Sequence, residues 1–221
     1  VANAETGVIQ ECEEIIRSVN PSRIFLDATA SGIRVQGINN YSTAIFDSRS
    51  WYGPSELGLL VIKDKSLWSN PLPHLNAAHP NFEASLPLLL ASAVAIENFS
   101  SEVEEANMRA RKFNSQLRDS FDQIPDVDIA GSLDSSLPHL LSASFLNCNG
   151  EELLRGIQGD GFSVDSGSAC TADNLEPSHV LAAMGVLTHG NIRITIHPDA
   201  TQSEIDGLIS SVKNNVERLR A

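Results

Sequence analysis

The sequence has few cysteines, few aromatics and few basic residues, and each shortage narrows what the chain can be. Its three cysteines, Cys12, Cys148 and Cys170, are odd in number and widely spaced. That does not suggest a disulfide framework or a zinc knuckle. Lys and Arg number 15 against 28 Asp and Glu, a formal net charge of -13. A surface of that sign repels phosphate backbones, so no nucleic acid partner is expected. The longest apolar stretch, Leu86 to Ile96, is short and is interrupted by Pro87 and Ser92, so no membrane span is expected. A basic segment followed by an apolar one is missing from Val1 to Gln10, so no signal peptide is read there and the expected location is cytoplasmic. The chain opens on Val1-Ala2-Asn3 without Met, which reads as a piece of a longer protein.

What is present is a globular composition, 42% hydrophobic and 19% charged, which can build a folded core. Apolar residues at Val8, Ile9, Cys12, Ile15, Ile16 and Val19 predict a helix ended by Asn20-Pro21. Short apolar runs at Ile24–Leu26, Ala44–Phe46 and Gly58–Ile62 predict buried strands, the first two ending at Asp27 and Asp47. Ligands in open α/β sheets sit beyond the carboxyl ends of strands, so Asp27 and the segment Asp47 to Ser50 are candidate site positions. Ser66 to Asn81 reads as an irregular connection, and Glu83 to Phe121 as a long helix with an apolar first half and a charged second half. Further on, Val127–Ala130, Leu140–Leu146, Phe162–Val164 and Asn191–Ile196 read as strands. Gly150–Gln158 and Pro177–Met184 read as helices, the latter stopped by Gly185. Thr201 with Glu204 is a capping box opening the last helix.

The most specific stretch is Ser166-Gly167-Ser168-Ala169-Cys170-Thr171, followed by Glu176-Pro177-Ser178-His179-Val180-Leu181 and then Asn191-Ile192-Arg193-Ile194. Small residues around Cys170 suit an exposed loop, although a turn with an incidental cysteine would look the same. Asp27 equally suits a strand-end turn or a site, and Arg193 a surface strand or an anion site. His74 and His79 stand in a Pro-containing loop without carboxylates or thiols, so no metal site is expected. Asp126 and Asp128 are expected to be solvated.

These strings resemble the C-terminal part of the cysteine desulfurases, pyridoxal-phosphate (PLP) enzymes of the class V aminotransferase family and of PLP fold type I. Further similarity lies in ANAETGVIQ at Ala2–Gln10, FLDATAS at Phe25–Ser31, Tyr52-Gly53-Pro54, Pro138–Phe145 and the last helix. The resemblance implies an α/β fold in two parts. Residues 1–95 would be part of the large PLP-transferase domain, with a mostly parallel sheet. Residues 96–221 would be a connecting helix and a small C-terminal α+β domain. It implies a transferase reaction in which sulfur moves from L-cysteine to Cys170 as a persulfide, using PLP. Asp27 would hold the cofactor's pyridine nitrogen and Arg193 the substrate carboxylate. It also implies a homodimer, or pairing with a homologous subunit, and a sulfur-acceptor protein as partner.

The departures concentrate at the cofactor. The family's S-x-H-K before Tyr-Gly-Pro reads Asp47-Ser48-Arg49-Ser50-Trp51 here. Spacing from Tyr52 puts Ser50 at the lysine position, Arg49 at the histidine and Asp47 at a phosphate-binding serine. Ala4 and Ala30 stand at an asparagine and a glutamine of the family. A serine hydroxyl cannot form an imine with an aldehyde, so covalent PLP attachment is not expected and the chain reads as inactive as it stands. Lys63 and Lys65 follow a strand in a charged segment, and Lys112 and Lys213 lie on polar helix faces. The alternative is a non-catalytic relative acting as a dimer partner, binding module or sulfur acceptor.

Overall fold

The computed structural model describes residues 1–20, 24–69, 85–166 and 178–221. The described chain forms two compact units, Val1–Ala2 with Gln10–Val103, and Asn3–Ile9 with Glu104–Ala221. Asn3–Ile9 groups with the second unit because its backbone is paired there: Val8 bridges Ser136, the Ile9 N–H reaches the Ser135 carbonyl, and the Leu137 N–H reaches the Gly7 carbonyl. That pairing shortens the predicted first helix. Val8 and Ile9 are spent on bridges, and α1 runs only over Cys12–Ser18. Of its apolar residues Ile16 is buried, while Ile15 and, just beyond, Val19 are exposed.

The first unit holds the strands β1 (Phe25–Asp27), β2 (Thr43–Asp47) and β3 (Gly58–Ile62) in the order β1-β2-β3. β1 and β2 are parallel and β2 and β3 antiparallel, so the expected mostly parallel sheet is corrected to a mixed one. Loop length accounts for the difference. The connection 28–42 is long enough for a parallel crossover, whereas 48–57 holds only a 3₁₀ turn and a Gly-Pro turn and must reverse direction. That turn, Ser48–Trp51, is capped by the Asp47 carboxylate, which accepts from the Arg49 N–H at 2.9 Å. It ends at Tyr52 in the left-handed region. Trp51 is fully buried and donates to Ser92 Oγ at 3.2 Å, and Ser48 Oγ and Ser92 Oγ are 2.8 Å apart.

The helix α2 (Leu86–Phe121) is continuous. Pro87 does not break it, because in a first turn the missing N–H has no intrahelical partner to lose. Among the described residues α2 is long and apolar enough to cross a membrane by length and composition alone. Its apolar first half is also the exposed half, with Leu86, Leu90 and Val94 on the surface. The buried stripe lies further on, at Phe99, Val103, Ala106, Ala110, Phe113 and Leu117. This spacing of three and four residues presents one face, and the intervening charges point outward.

The second unit holds β4 (Val127–Ile129), β5 (Leu140–Phe145), α3 (Gly150–Gly159), α4 (His179–Met184), β6 (Asn191–Thr195) and α5 (Gln202–Arg220). Its sheet is antiparallel throughout, in the order β4-β5-β6. Leu141, Phe145, Leu153, Ile157, Ile192 and Val212 form the centre of its core, each essentially without solvent contact. Each such side chain contributes about 1.5–3 kcal/mol relative to exposure. Two ends match the sequence reading: the Thr201–Glu204 box opens α5, and Gly185 at φ +71° stops α4; Asn149, which the sequence reading did not single out, caps α3. Phe162–Val164 is not a strand: the Phe162 N–H closes the end of α3 on the Ile157 carbonyl, and the following residue to pair is Asp165, opposite Arg193. Gly190, at φ +64°, sets the start of β6; a Cβ there would lie 2.2 Å from the Phe145 carbonyl oxygen.

Candidate functional site

In the first unit, the parallel pairing of β1 and β2 brings Asp27 and Asp47 to the same edge of the sheet. Asp27 Oδ1 accepts from the Thr29 hydroxyl at 2.6 Å and the Thr29 N–H at 2.9 Å. These two donors hold its carboxyl below the usual aspartate range. Asp27 thus forms the strand-end turn with Thr29.

Asp47 and Arg49 form a bidentate pair. Arg49 Nη2 donates to Asp47 Oδ2 at 2.5 Å, and Nε lies 3.1 and 3.0 Å from the two carboxylate oxygens. The guanidinium lowers the Asp47 pKa, and the carboxylate raises that of Arg49. The negative charge that Asp47 brings is therefore met locally. Together with Thr29, Phe46 and Glu56 the pair lines an open groove of about 400 Å³.

Ser50 points inward from this turn. Its hydroxyl donates to the Asp47 carbonyl at 2.7 Å. Gly32 packs against it so closely that a Cβ at Gly32 would lie 2.3 Å from Ser50 Oγ. Behind the turn stands a residue that sequence reading missed. Arg34 is buried with its guanidinium 4.7 Å from the Phe99 ring centroid and 5.8 Å from that of Tyr52, and its Nη2 donates to the Tyr52 hydroxyl at 2.5 Å. Burial lowers its pKa. A lone arginine among Ile33 and Val35 carries no signal of this in the sequence.

In the second unit, Arg193 extends from β6. Its Nη1 donates to the Ala4 carbonyl at 3.1 Å and its Nη2 pairs with Asp165 Oδ2, while Nε is buried without a hydrogen-bond partner. Asn191, two residues earlier on the same face of the strand, donates to Ser142 Oγ at 2.9 Å and Ser144 Oγ at 3.0 Å. This polar face also takes in the half-buried Asp128, paired opposite Ser144. Asp128 Oδ2 accepts the Leu187 N–H at 2.8 Å, which corrects its reading as solvated. Cys170, His74 and His79 lie outside the described residues.

No protein-family profile matches the chain. Among curated proteins it is 32% identical over 230 aligned positions to the cysteine desulfurase IscS of Vesicomyosocius okutanii subsp. Calyptogena okutanii, covering 99% of this chain and 56% of that protein. To the cysteine desulfurase IscS of Haemophilus influenzae it is 32% identical over 238 positions, covering 57% of that protein. The chain thus spans little more than half the length of these relatives. Among solved structures, a NifS-like protein superposes with a TM-score of 0.82 at 27% identity, over 99% of this chain and 59% of that one. The cysteine desulfurase CsdA of Escherichia coli superposes with a TM-score of 0.75 over 98% of this chain and 58% of that one; at 18% identity it shares the fold.

Proposed function

The chain is a relative within the cysteine desulfurase family, matching the C-terminal part of its members, and from that premise we propose that it handles sulfur and carboxylate without holding PLP covalently. The observation that carries this reading is Ser50. It stands where the family resemblance puts the cofactor lysine, and its hydroxyl is engaged by the Asp47 carbonyl. A hydroxyl supplies no amine for an imine.

The lysines of the first unit do not replace it. Lys63 and Lys65 follow β3, whose carboxyl end pairs with Thr43 at the amino end of β2. Ser50 follows the opposite end of β2, roughly 14 Å away along the strand. The Lys63 ammonium is also engaged, donating to the Asn39 carbonyl and lying 4.3 Å from the Tyr41 ring centroid. Of the residues that the resemblance assigns to the cofactor, Asp27 fits a pyridine nitrogen, but the set as a whole does not fit a covalently held PLP, and no step is routed through one.

What the chain keeps is Arg193 for a carboxylate and Cys170 for sulfur. As a sulfur acceptor it needs no cofactor. The Cys170 thiolate attacks the outer sulfur of a donor persulfide, the donor's S–S bond breaks, and the donor leaves as a thiolate while Cys170 carries the persulfide. Pairing with a second copy, or with a homologous subunit, belongs to the same proposal.

Two measurements test it. The purified protein is expected to stay colourless with added PLP, and borohydride is expected to fix no cofactor to any peptide. Exposure to a low-molecular-weight persulfide is expected to add the mass of one sulfur, lost in Cys170→Ala and kept in Cys12→Ala and Cys148→Ala. A yellow, reducible adduct would instead support desulfurase catalysis by this chain, the reading favoured by the similarity to cysteine desulfurases and by Asp27.

A further inference from the structure

We propose that Asp165 is a built-in competitor for Arg193, an internal carboxylate that any external carboxylate must displace. The inference deepens the carboxylate role given to Arg193 above and rests on it.

The pairing is set by the backbone. The Asp165 N–H donates to the Arg193 carbonyl at 3.0 Å and the Arg193 N–H to the Asp165 carbonyl at 2.7 Å. This is a directly opposed antiparallel pair. Residues so opposed project their side chains from the same face, within reach of one another. The carboxylate is held at both oxygens: Oδ1 accepts the Ser166 N–H at 2.8 Å, and Oδ2 accepts from Arg193 Nη2. A guanidinium on one oxygen and a backbone N–H on the other is the donor set that a bound monocarboxylate would need.

Two asymmetries make the contact displaceable. The Asp165 side chain is 51% exposed and the Arg193 side chain 27%, so Asp165 is the partner that can turn into water. Asp165 also engages the guanidinium through Nη2 alone and leaves Nε unpartnered. A ligand carboxylate taking both Nη2 and Nε makes the two-point contact that Asp165 does not make. Ala4 accepts from Nη1, the remaining edge of the guanidinium. The apparent affinity for a ligand is its intrinsic affinity reduced by the fraction of Arg193 left free. Asp165 therefore sets how concentrated, and how well shaped, a carboxylate must be.

The test is an NMR titration of the Arg193 Nε–H resonance with L-alanine, with L-alaninamide as the control lacking the carboxylate. Wild type, D165N and D165S are compared, with D165N/R193K to assign the signal. The expected result is a half-saturating L-alanine concentration at least tenfold lower in D165N and D165S than in wild type, with no response to L-alaninamide. If all three proteins titrate alike with L-alanine, Asp165 is no competitor, although the carboxylate role of Arg193 stands. If none responds, that role falls as well. Unfolding of both variants, read by circular dichroism, would make the pair a structural tie and overturn the proposal.

Discussion

Gly32 is packed so tightly against Ser50 that a side chain at residue 32 requires movement. Gly32 has φ +53°, and a Cβ built on it would lie 2.7 Å from Ser50 Cβ as well as 2.3 Å from its Oγ. Gly32→Ala is therefore expected to destabilise the protein by about 1–3 kcal/mol, combining left-handed backbone strain with the clash. Urea unfolding measures it. Adding Ser50→Gly to Gly32→Ala is expected to recover the steric part and leave the backbone part.

Acid is expected to weaken the fold through carboxylates whose pKa is lowered. Asp27 is lowered by Thr29, Asp47 by Arg49, and Glu204 by the Thr201 N–H and hydroxyl. A folded-state pKa below the unfolded one gives stability that is full above the unfolded value, about 4, and is lost as pH falls through the folded value. The melting temperature is expected to decline below that point. Glu204→Gln keeps the capping geometry and removes one titrating group, so its acid decline is expected to be shallower.

Asn114 is fully buried on α2 and satisfies several groups at once. Its amide donates to the carbonyls of Pro138 and Leu140 at 3.1 and 3.0 Å, and its oxygen accepts from Arg118 Nε at 2.8 Å. Asn114→Leu strands these partners and is expected to cost about 2–4 kcal/mol by urea unfolding.

Two leucines of opposite exposure make a paired prediction. Leu153, fully buried on α3, is expected to cost about 2–5 kcal/mol as Leu153→Ala. Leu90, 59% exposed on α2, is expected to change stability by no more than about 0.5 kcal/mol as Leu90→Ala. A large loss at Leu90 would mean that another surface covers this face in solution.

Much of the fold was legible locally. β3 ran over the predicted residues, Gly185 stopped α4, and the Thr201–Glu204 box opened α5. Such features depend on hydrogen bonds and side-chain contacts a few residues apart. The failures share a cause as well. Val8 and Ile9 have helical spacing but are claimed by distant backbone at Ser135 and Ser136. Leu86, Leu89 and Leu90 at the start of α2 look like core and are exposed, while the charge-rich half carries the buried stripe. Apolar content identifies a helix that can be buried, and the packing around it decides which turns are.

The amino-acid order by itself carried the family, through short strings whose spacing survives any rearrangement of the rest, and it put a hydroxyl at residue 50. It also placed Arg193 on a strand, since alternating apolar residues suffice for that. Only the tertiary structure decided what these groups meet: Asp47 neutralised by Arg49, Arg34 between two rings, Arg193 held by Asp165 and Ala4. Strand register and chain crossing bring together residues far apart in sequence, and a charge takes its properties from the neighbours that register supplies.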